Sequence, residues 1–257
     1  MTAVLAADPL RILRHSLARI ETDGCMETSR LRSGVEHIDE ALGGGLAFGA
    51  LHEIAPCAPL HAGATTGFAL ALATLAQRQV LWIQNALVRL EAGAPYGPGL
   101  DCFGLSMDRL IVLDVARATD ALWAMEEALK CSALTVIAEF YDDDPTVDLT
   151  AIRRLSLATR AGGGLGLLLR HRTAAAPSTA ATRWEIASAC GPRDCFGGLG
   201  RTTFSLSLTK NRHGPCGQWV LSWDHHACVF VVPALSFGVA EAARNRPDRA
   251  LLKHAVG

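Results

Sequence analysis

From residue 50 onward, short apolar runs alternate with longer stretches in which apolar residues recur at helical spacing. Ala50-Leu51-His52-Glu53-Ile54 reads as a strand, and the small, apolar stretch from about Thr65 to Gln77 reads as a helix. Val80-Leu81-Trp82-Ile83-Gln84 is the next strand, followed by a Gly- and Pro-rich loop over 93–99. Leu110-Ile111-Val112-Leu113 predicts a strand, and 119–130 a helix with Leu122, Met125 and Leu129 on one side. A strand follows at 134–139, then a helix at 147–161 stopped by Gly162-Gly163-Gly164, then a strand at 165–170. Strands that are apolar throughout are buried on both faces, and their alternation with helices implies a largely parallel sheet. After residue 183 the pattern changes to period two, over Arg183–Ala189, Thr203–Lys210 and Gln218–Asp224. That is the mark of antiparallel edge structure, with the turn Asn211–Gly217 joining the last two strands. The fold class is α/β, a mostly parallel sheet with antiparallel C-terminal strands.

Ahead of this pattern, residues 9–21 form an amphipathic helical stretch with Leu10, Leu13, Leu17 and Ile20 on one face. The expected organisation is an N-terminal helix and linker over 1–30, a core domain over 31–235, and a mildly basic tail over 236–257. With 257 residues, half of them hydrophobic, the chain can bury a substantial core. Its net charge of −1 gives no bulk attraction to nucleic acid, so any such contact must come from a local patch. The apolar runs are too short to span a bilayer, and Asp8 with the following arginines breaks any signal-peptide layout, so a cytoplasmic location is expected. The eight cysteines include no Cys-x-x-Cys pair. Cys190, Cys195, His213 and Cys216, or His225, His226 and Cys228, match no compact zinc module, so no metal is expected. The cysteines read as mostly buried small hydrophobes.

The most informative segment is 34–74, where a Gly-rich turn (Gly43, Gly44, Gly45, Gly49) leads through a strand and a loop into a helix. A phosphate-binding loop would place G-x-x-x-x-G-K-[ST] between that strand and that helix. Here the pattern gives Ala58, four residues, Gly63, Ala64 and Thr65, with Thr66 next. Backbone N–H groups at a helix start still attract anions. Alanine, however, cannot supply the charge that reaches the terminal phosphates, and Pro56 and Pro59 remove two N–H donors. The geometry is kept and the chemistry is missing.

The segment Gly34–Leu46 resembles the entry to the nucleotide-binding core of RecA-type recombinases. Val80–Gln84 resembles the next core strand, after which Ala86 stands where the family's water-activating glutamate would be. Leu134-Thr135-Val136-Ile137-Ala138-Glu139 resembles the Walker B strand, with Glu139 at the magnesium-associated position. Leu208-Thr209-Lys210-Asn211-Arg212 is similar to the late strand and turn of the family, so the resemblance covers roughly residues 30–215. Within that superfamily the chain is most similar to the ImuA (inducible mutagenesis protein A) family, sometimes grouped with the division inhibitor SulA. Leu208–Gly214 and Gln218–Asp224 carry that likeness. The resemblance implies a RecA-like core with a degenerate nucleotide site and no cofactor. It implies a non-catalytic adaptor in damage-induced, error-prone translesion synthesis, beside a Y-family polymerase homologue and an error-prone C-family polymerase. RecA and single-stranded DNA are further candidate partners. A SulA-type inhibitor of cell division stays open, as does a weak DNA-dependent ATPase using Glu139, Thr65 and Thr66.

RecA proteins hold DNA through two loops of the core. The segment matching the first, Phe140–Pro145, contains Asp142, Asp143 and Asp144 and would repel phosphate. The segment matching the second runs from Arg170 to Arg183 and is bracketed by Arg170, His171, Arg172 and Arg183. It reads as a loop that tracks a single-stranded backbone, or as a solvated surface loop. Lys210 and Arg212 at the hairpin tip could hold a phosphate or merely close a turn.

Overall fold

The computed structural model describes residues 29–141, 145–171, 177–191, 198 and 200–233. The amphipathic stretch 9–21, Asp142–Asp144, Arg172, Cys25, Cys195 and the tail from 234 lie outside the described residues. In chain order the elements are β1 (Arg30–Leu31), α1 (Glu36–Ala41), β2 (Leu46–Ala47), β3 (Ala50–Pro56), a 3-10 turn (Pro59–His61) and α2 (Ala62–Leu75). Then come β4 (Gln79–Asn85), α3 (Ala86–Ala92), α4 (Gly97–Cys102), a 3-10 turn (Met107–Arg109), β5 (Leu110–Val115) and α5 (Ala118–Ala128). The remainder is β6 (Leu134–Phe140), α6 (Leu149–Gly162), β7 (Leu165–Arg170), β8 (Thr182–Ser188), β9 (Thr203–Asn211), β10 (Gly217–Asp224) and β11 (Val229–Val231). Among these, β1 and β2 make a small antiparallel pair, and the other nine strands form one sheet in the order β11-β10-β9-β8-β3-β7-β6-β4-β5. Pairings from β5 across to β8 are parallel, and those from β8 to β11 are antiparallel.

Alternation along each strand divides the interior in two. One cluster gathers Ile54, Trp82, Ile137, Leu167 and Trp184 with Phe68 of α2 and Phe204 of β9. The other gathers Leu51, Ile83, Val136 and Leu168 with Met125 of α5 and Leu155 of α6. Helix α2 is buried along most of its length, with small residues Gly67, Ala69, Ala71 and Ala73 throughout. A helix apolar on all sides is a core helix, and the absent side chain at Gly67 lets the Phe103 and Phe204 rings close on it. Helix α6 is amphipathic instead. Its start is capped by Asp148, whose carboxylate accepts from Ala151 N–H at 2.7 Å. Asp148→Ala is expected to cost about 1 kcal/mol, a fall of roughly 2–4 °C in Tm by thermal melting. An unchanged Tm would mean that this cap contributes nothing.

The strands and helices predicted from 50 to 170 are present, and several expectations are corrected. Helix α2 begins at Ala62 rather than near Thr65, because Pro59 sets the φ of a 3-10 turn that feeds directly into it. The stretch 93–99, expected as loop, gives its last three residues to the start of α4 (Gly97–Cys102). Strand β8, read as antiparallel edge, lies inside the sheet and runs parallel to β3 on one side and antiparallel to β9 on the other. Its period of two reports one buried and one half-open face: Trp184 and Ile186 are buried, while Arg183, Glu185 and Ala187 are half-buried. Periodicity records burial and is blind to the direction of the neighbouring strand. The cysteines are also corrected. Cys57, Cys102, Cys131, Cys190 and Cys216 are exposed and Cys228 is half-buried. Most of them stand in loops or at element ends, outside the apolar rows that build the core. Among the described residues no helix is long and apolar enough to cross a membrane.

Candidate functional site at the C-terminal edge of the parallel strands

In open α/β sheets ligands bind beyond the carboxyl ends of the strands. Here that edge is formed by the ends of β3, β7, β6 and β4 with the first turn of α2. Strand β3 stops at Pro56, and Cys57 N–H donates to Ile186 O at 2.9 Å, holding the exit of the strand against β8. The 3-10 turn is fastened by His61. Its Nδ1 accepts from Ser188 N–H at 3.2 Å and lies 2.8 Å from the Ser188 hydroxyl. Ala58 is extended and half-buried. Gly63 is exposed, with open space around its Cα, and Ala64 packs against the core. Both lie inside the first helical turn. Thr65 Oγ1 donates to His61 O at 3.2 Å and Thr66 Oγ1 donates to Ala62 O at 3.3 Å. Both hydroxyls are therefore turned back onto their own helix, away from any ligand.

Beside this turn stands a polar cluster. Glu139, near the end of β6, is 2% exposed, and its Oε2 accepts from Gln84 Nε2 of β4 at 2.5 Å. Gln84 Nε2 also donates to Gly93 O at 3.1 Å. Burial pushes the Glu139 carboxyl above the usual range, against the pull of its Gln84 donor. His171 Nε2 lies 3.7 Å from Glu139 Oε1, and the His171 ring stacks on Tyr141 with centroids 4.9 Å apart. Burial pushes the His171 imidazole below its ordinary value. Ala86 is an exposed methyl at the start of α3, where the Asn85 side chain accepts from Val88 N–H at 2.9 Å.

On the other face of the sheet is an ionic cluster centred on Glu53, which is fully buried. Arg170 Nε donates to Glu53 Oε1 at 2.6 Å, and Arg183 Nε donates to Oε2 at 3.0 Å. Lys210, opposite Arg183 on β9, donates from Nζ to Ser178 O at 2.5 Å. Burial, then the nearby Arg183 and Arg212 charges, hold the Lys210 ammonium below its usual value despite Glu53. The hairpin tip is anchored by Asn211 Nδ2, which donates to Ala41 O at 2.8 Å and Pro215 O at 3.0 Å.

The described cations that bracket the loop from Arg170 to Arg183 are drawn inward. Arg170 and His171 are buried, Arg183 is largely buried, and Lys210 is half-buried and bonded to Ser178. Arg212 is the exposed cation among the described candidates. Glu53 and Gln84 went unremarked in the sequence. A glutamate inside a buried, mostly apolar strand must find polar or cationic partners, and that is the signal the sequence offers. Among the described residues no three or more His, Cys, Asp or Glu side chains are grouped to hold a metal.

A mixed, mostly parallel sheet with helices on both faces and a strand–turn–helix at its carboxyl edge makes this an α/β protein, consistent with a Rossmann or RecA-like fold. No family model matches the chain. It is 31% identical over 137 residues to Protein ImuA of Caulobacter vibrioides, in strains NA1000 / CB15N and ATCC 19089 / CIP 103742 / CB 15 alike. The match covers 49% of this chain and 55% of each relative, so the chain spans about half the length of the curated relatives it matches. The similarity supports an ImuA-like assignment.

Proposed function

We propose that this protein is a RecA-like adaptor that has given up nucleotide hydrolysis and acts in damage-induced mutagenesis. The observation that carries the reading is the first turn of α2. At the position of the phosphate-gripping lysine stands Ala64, packed on the core, and the neighbouring Thr65 and Thr66 hydroxyls are bonded within the helix. A degenerate phosphate-binding loop explains why a strand–turn–helix of this shape survives without its ligand side chains. Ala86 at the position of the water-activating group supports the same conclusion. The similarity to Protein ImuA supports the biological setting. In this reading the chain works by surface complementarity, bringing a Y-family polymerase homologue and an error-prone polymerase together, with RecA and single-stranded DNA as further contacts.

The test is a tagged pull-down from cells after DNA damage, with bound proteins identified by mass spectrometry. Recovery of a Y-family polymerase homologue is expected. Recovery of the tubulin-like division protein instead would replace the adaptor with a division inhibitor. A clean preparation is also expected to show no ATP turnover with or without single-stranded DNA. Robust turnover that Thr65→Ala abolishes would overturn the non-catalytic reading.

A further inference from the structure

We propose that the outer face of helices α5 and α6 is a docking site for an acidic, amphipathic helical segment of a partner protein. The two helices lie side by side on one face of the sheet. Ala121, Ala124 and Met125 of α5 and Ile152, Leu155 and Ala158 of α6 are turned into the core. A helix packed in this way is expected to present polar residues to water. Here the outward sides carry large apolar groups: Trp123 is 64% exposed on α5, and Leu157 is 59% exposed on α6. Glu126 and Arg154 join the two helices by an ion pair at 2.5 Å. Trp123 stands one turn before Glu126, and Leu157 one turn after Arg154, so the two apolar groups flank this bridge on neighbouring helices.

Charge decides what kind of partner fits. Arg153 and Arg160 are exposed on α6, four residues before and three after Leu157, and among the described residues neither has an ion-pair partner. Residues at these spacings are neighbours on a helix surface, so a spare cation lies on either side of Leu157. The other charges of the two helices are matched: Arg117 with Asp120, Lys130 with Glu127 and Arg154 with Glu126. Tryptophan and arginine are the residue types in which protein interfaces concentrate their binding energy. An amphipathic helix would lay its apolar stripe over Trp123 and Leu157. Carboxylates flanking that stripe would reach Arg153 and Arg160.

The same charges disfavour other occupants. The stretch 9–21 of this chain carries Arg11, Arg14 and Arg19 against Glu21, and the tail carries Arg244, Arg246, Arg249 and Lys253 against Glu241 and Asp248. Both would bring positive charge to a positive face. A second copy meeting this face with its own would set Arg153 and Arg160 against their counterparts. Nucleic acids and anionic membranes are held by many spare cations, whereas this face has Arg153 and Arg160 beside the acidic Glu126 and Glu127. The proposal deepens the adaptor reading and rests on it for the biological setting, while the binding itself is measured without it.

The test uses the full chain and a pair of fluorescently labelled synthetic peptides of about 15 residues. Both carry leucine at helical spacing, and the remaining positions are mainly glutamate in one and lysine in the other. Fluorescence anisotropy should show saturable binding of the glutamate peptide, weakening as salt rises, and no binding of the lysine peptide. Trp123→Ala and Leu157→Ala remove exposed side chains, so melting should be unchanged while each weakens the glutamate peptide about tenfold or more. Arg153→Glu combined with Arg160→Glu should transfer the preference to the lysine peptide. Failure of the glutamate peptide to bind overturns the proposal, as does binding that these variants leave unchanged. Tighter binding of a single-stranded oligonucleotide or of phosphatidylglycerol vesicles, lost in Trp123→Ala, would overturn it in favour of a polyanion. Self-association lost in the same variant would overturn it in favour of a second copy. Peptide binding as expected, with no polymerase homologue recovered from damaged cells, would keep the docking face and remove the adaptor; the reverse pair of results would remove the docking face alone.

Discussion

Replacing Glu53 with alanine is expected to destabilise the fold by about 3–5 kcal/mol, the range for breaking a buried ion pair by removal of one partner. Glu53 is fully buried in the middle of the sheet and accepts from both Arg170 and Arg183. Arg170 is 3% exposed, so the substitution removes the acceptor of its buried Nε–H. Arg183 has more freedom to turn outward. The loss should appear as a lower midpoint in urea with an unchanged slope. Replacing all three residues with apolar side chains of similar size should recover much of the loss, because well-packed hydrophobic groups often match or exceed a buried ion network. A drop of less than about 1 kcal/mol in the single variant, within the range of ordinary substitutions, would show that the cluster is hydrated and that this account of the sheet centre is wrong.

Acid should destabilise the protein through His52. This side chain is 1% exposed, with Nδ1 2.8 Å from Thr182 Oγ1 and Nε2 2.9 Å from Ala47 O. Desolvation, followed by smaller effects of Arg30 and His213, lowers its pKa from 6.5 to about 4, although the Ala47 carbonyl acts in the opposite sense. A base whose folded pKa is depressed is neutral in both states above its unfolded value and costs nothing there. Below about pH 6.5 the unfolded chain takes up the proton first, so stability falls until the pH passes about 4, where the loss levels off. The difference of about 2.5 units corresponds to about 3 kcal/mol. His52→Asn should be less stable at neutral pH yet lose that slope between the two values. Comparing urea midpoints of both proteins over this pH window isolates the contribution, since the acid response of the carboxylates is shared. Parallel curves would show that His52 does not carry it.

The sequence disclosed the strand–turn–helix, the replacement of the lysine by Ala64, and the order of the parallel strands' elements, because these are local. Apolar runs, Gly162–Gly164 and the spacing from Ala58 to Thr65 can be read without knowing any neighbour. Short pieces were harder. The helix Ala86–Ala92 has its cap in Asn85, but at seven residues it is too short to show a helical period. Strand β11 is too short to show a period.

Charge was the least legible property. Arg170 and Arg183 look in sequence like the rims of an exposed loop, and the fold turns both inward onto Glu53. Their sequence separation from Glu53 hides the partnership entirely. Glu139 could be placed at the end of a core strand from the sequence, but not its contact with Gln84 or the approach of His171. By itself the sequence determined the long strands and helices between 50 and 170, which faces are apolar, and which phosphate-gripping side chains are absent. The tertiary structure decided that β8 runs parallel to β3, that the basic residues near 170 and 183 neutralise a buried carboxylate, and that Glu139 meets His171. The physical reason is range. Hydrophobic period and turn chemistry act over a few residues, whereas strand direction and charge pairing are fixed only when distant segments are brought side by side.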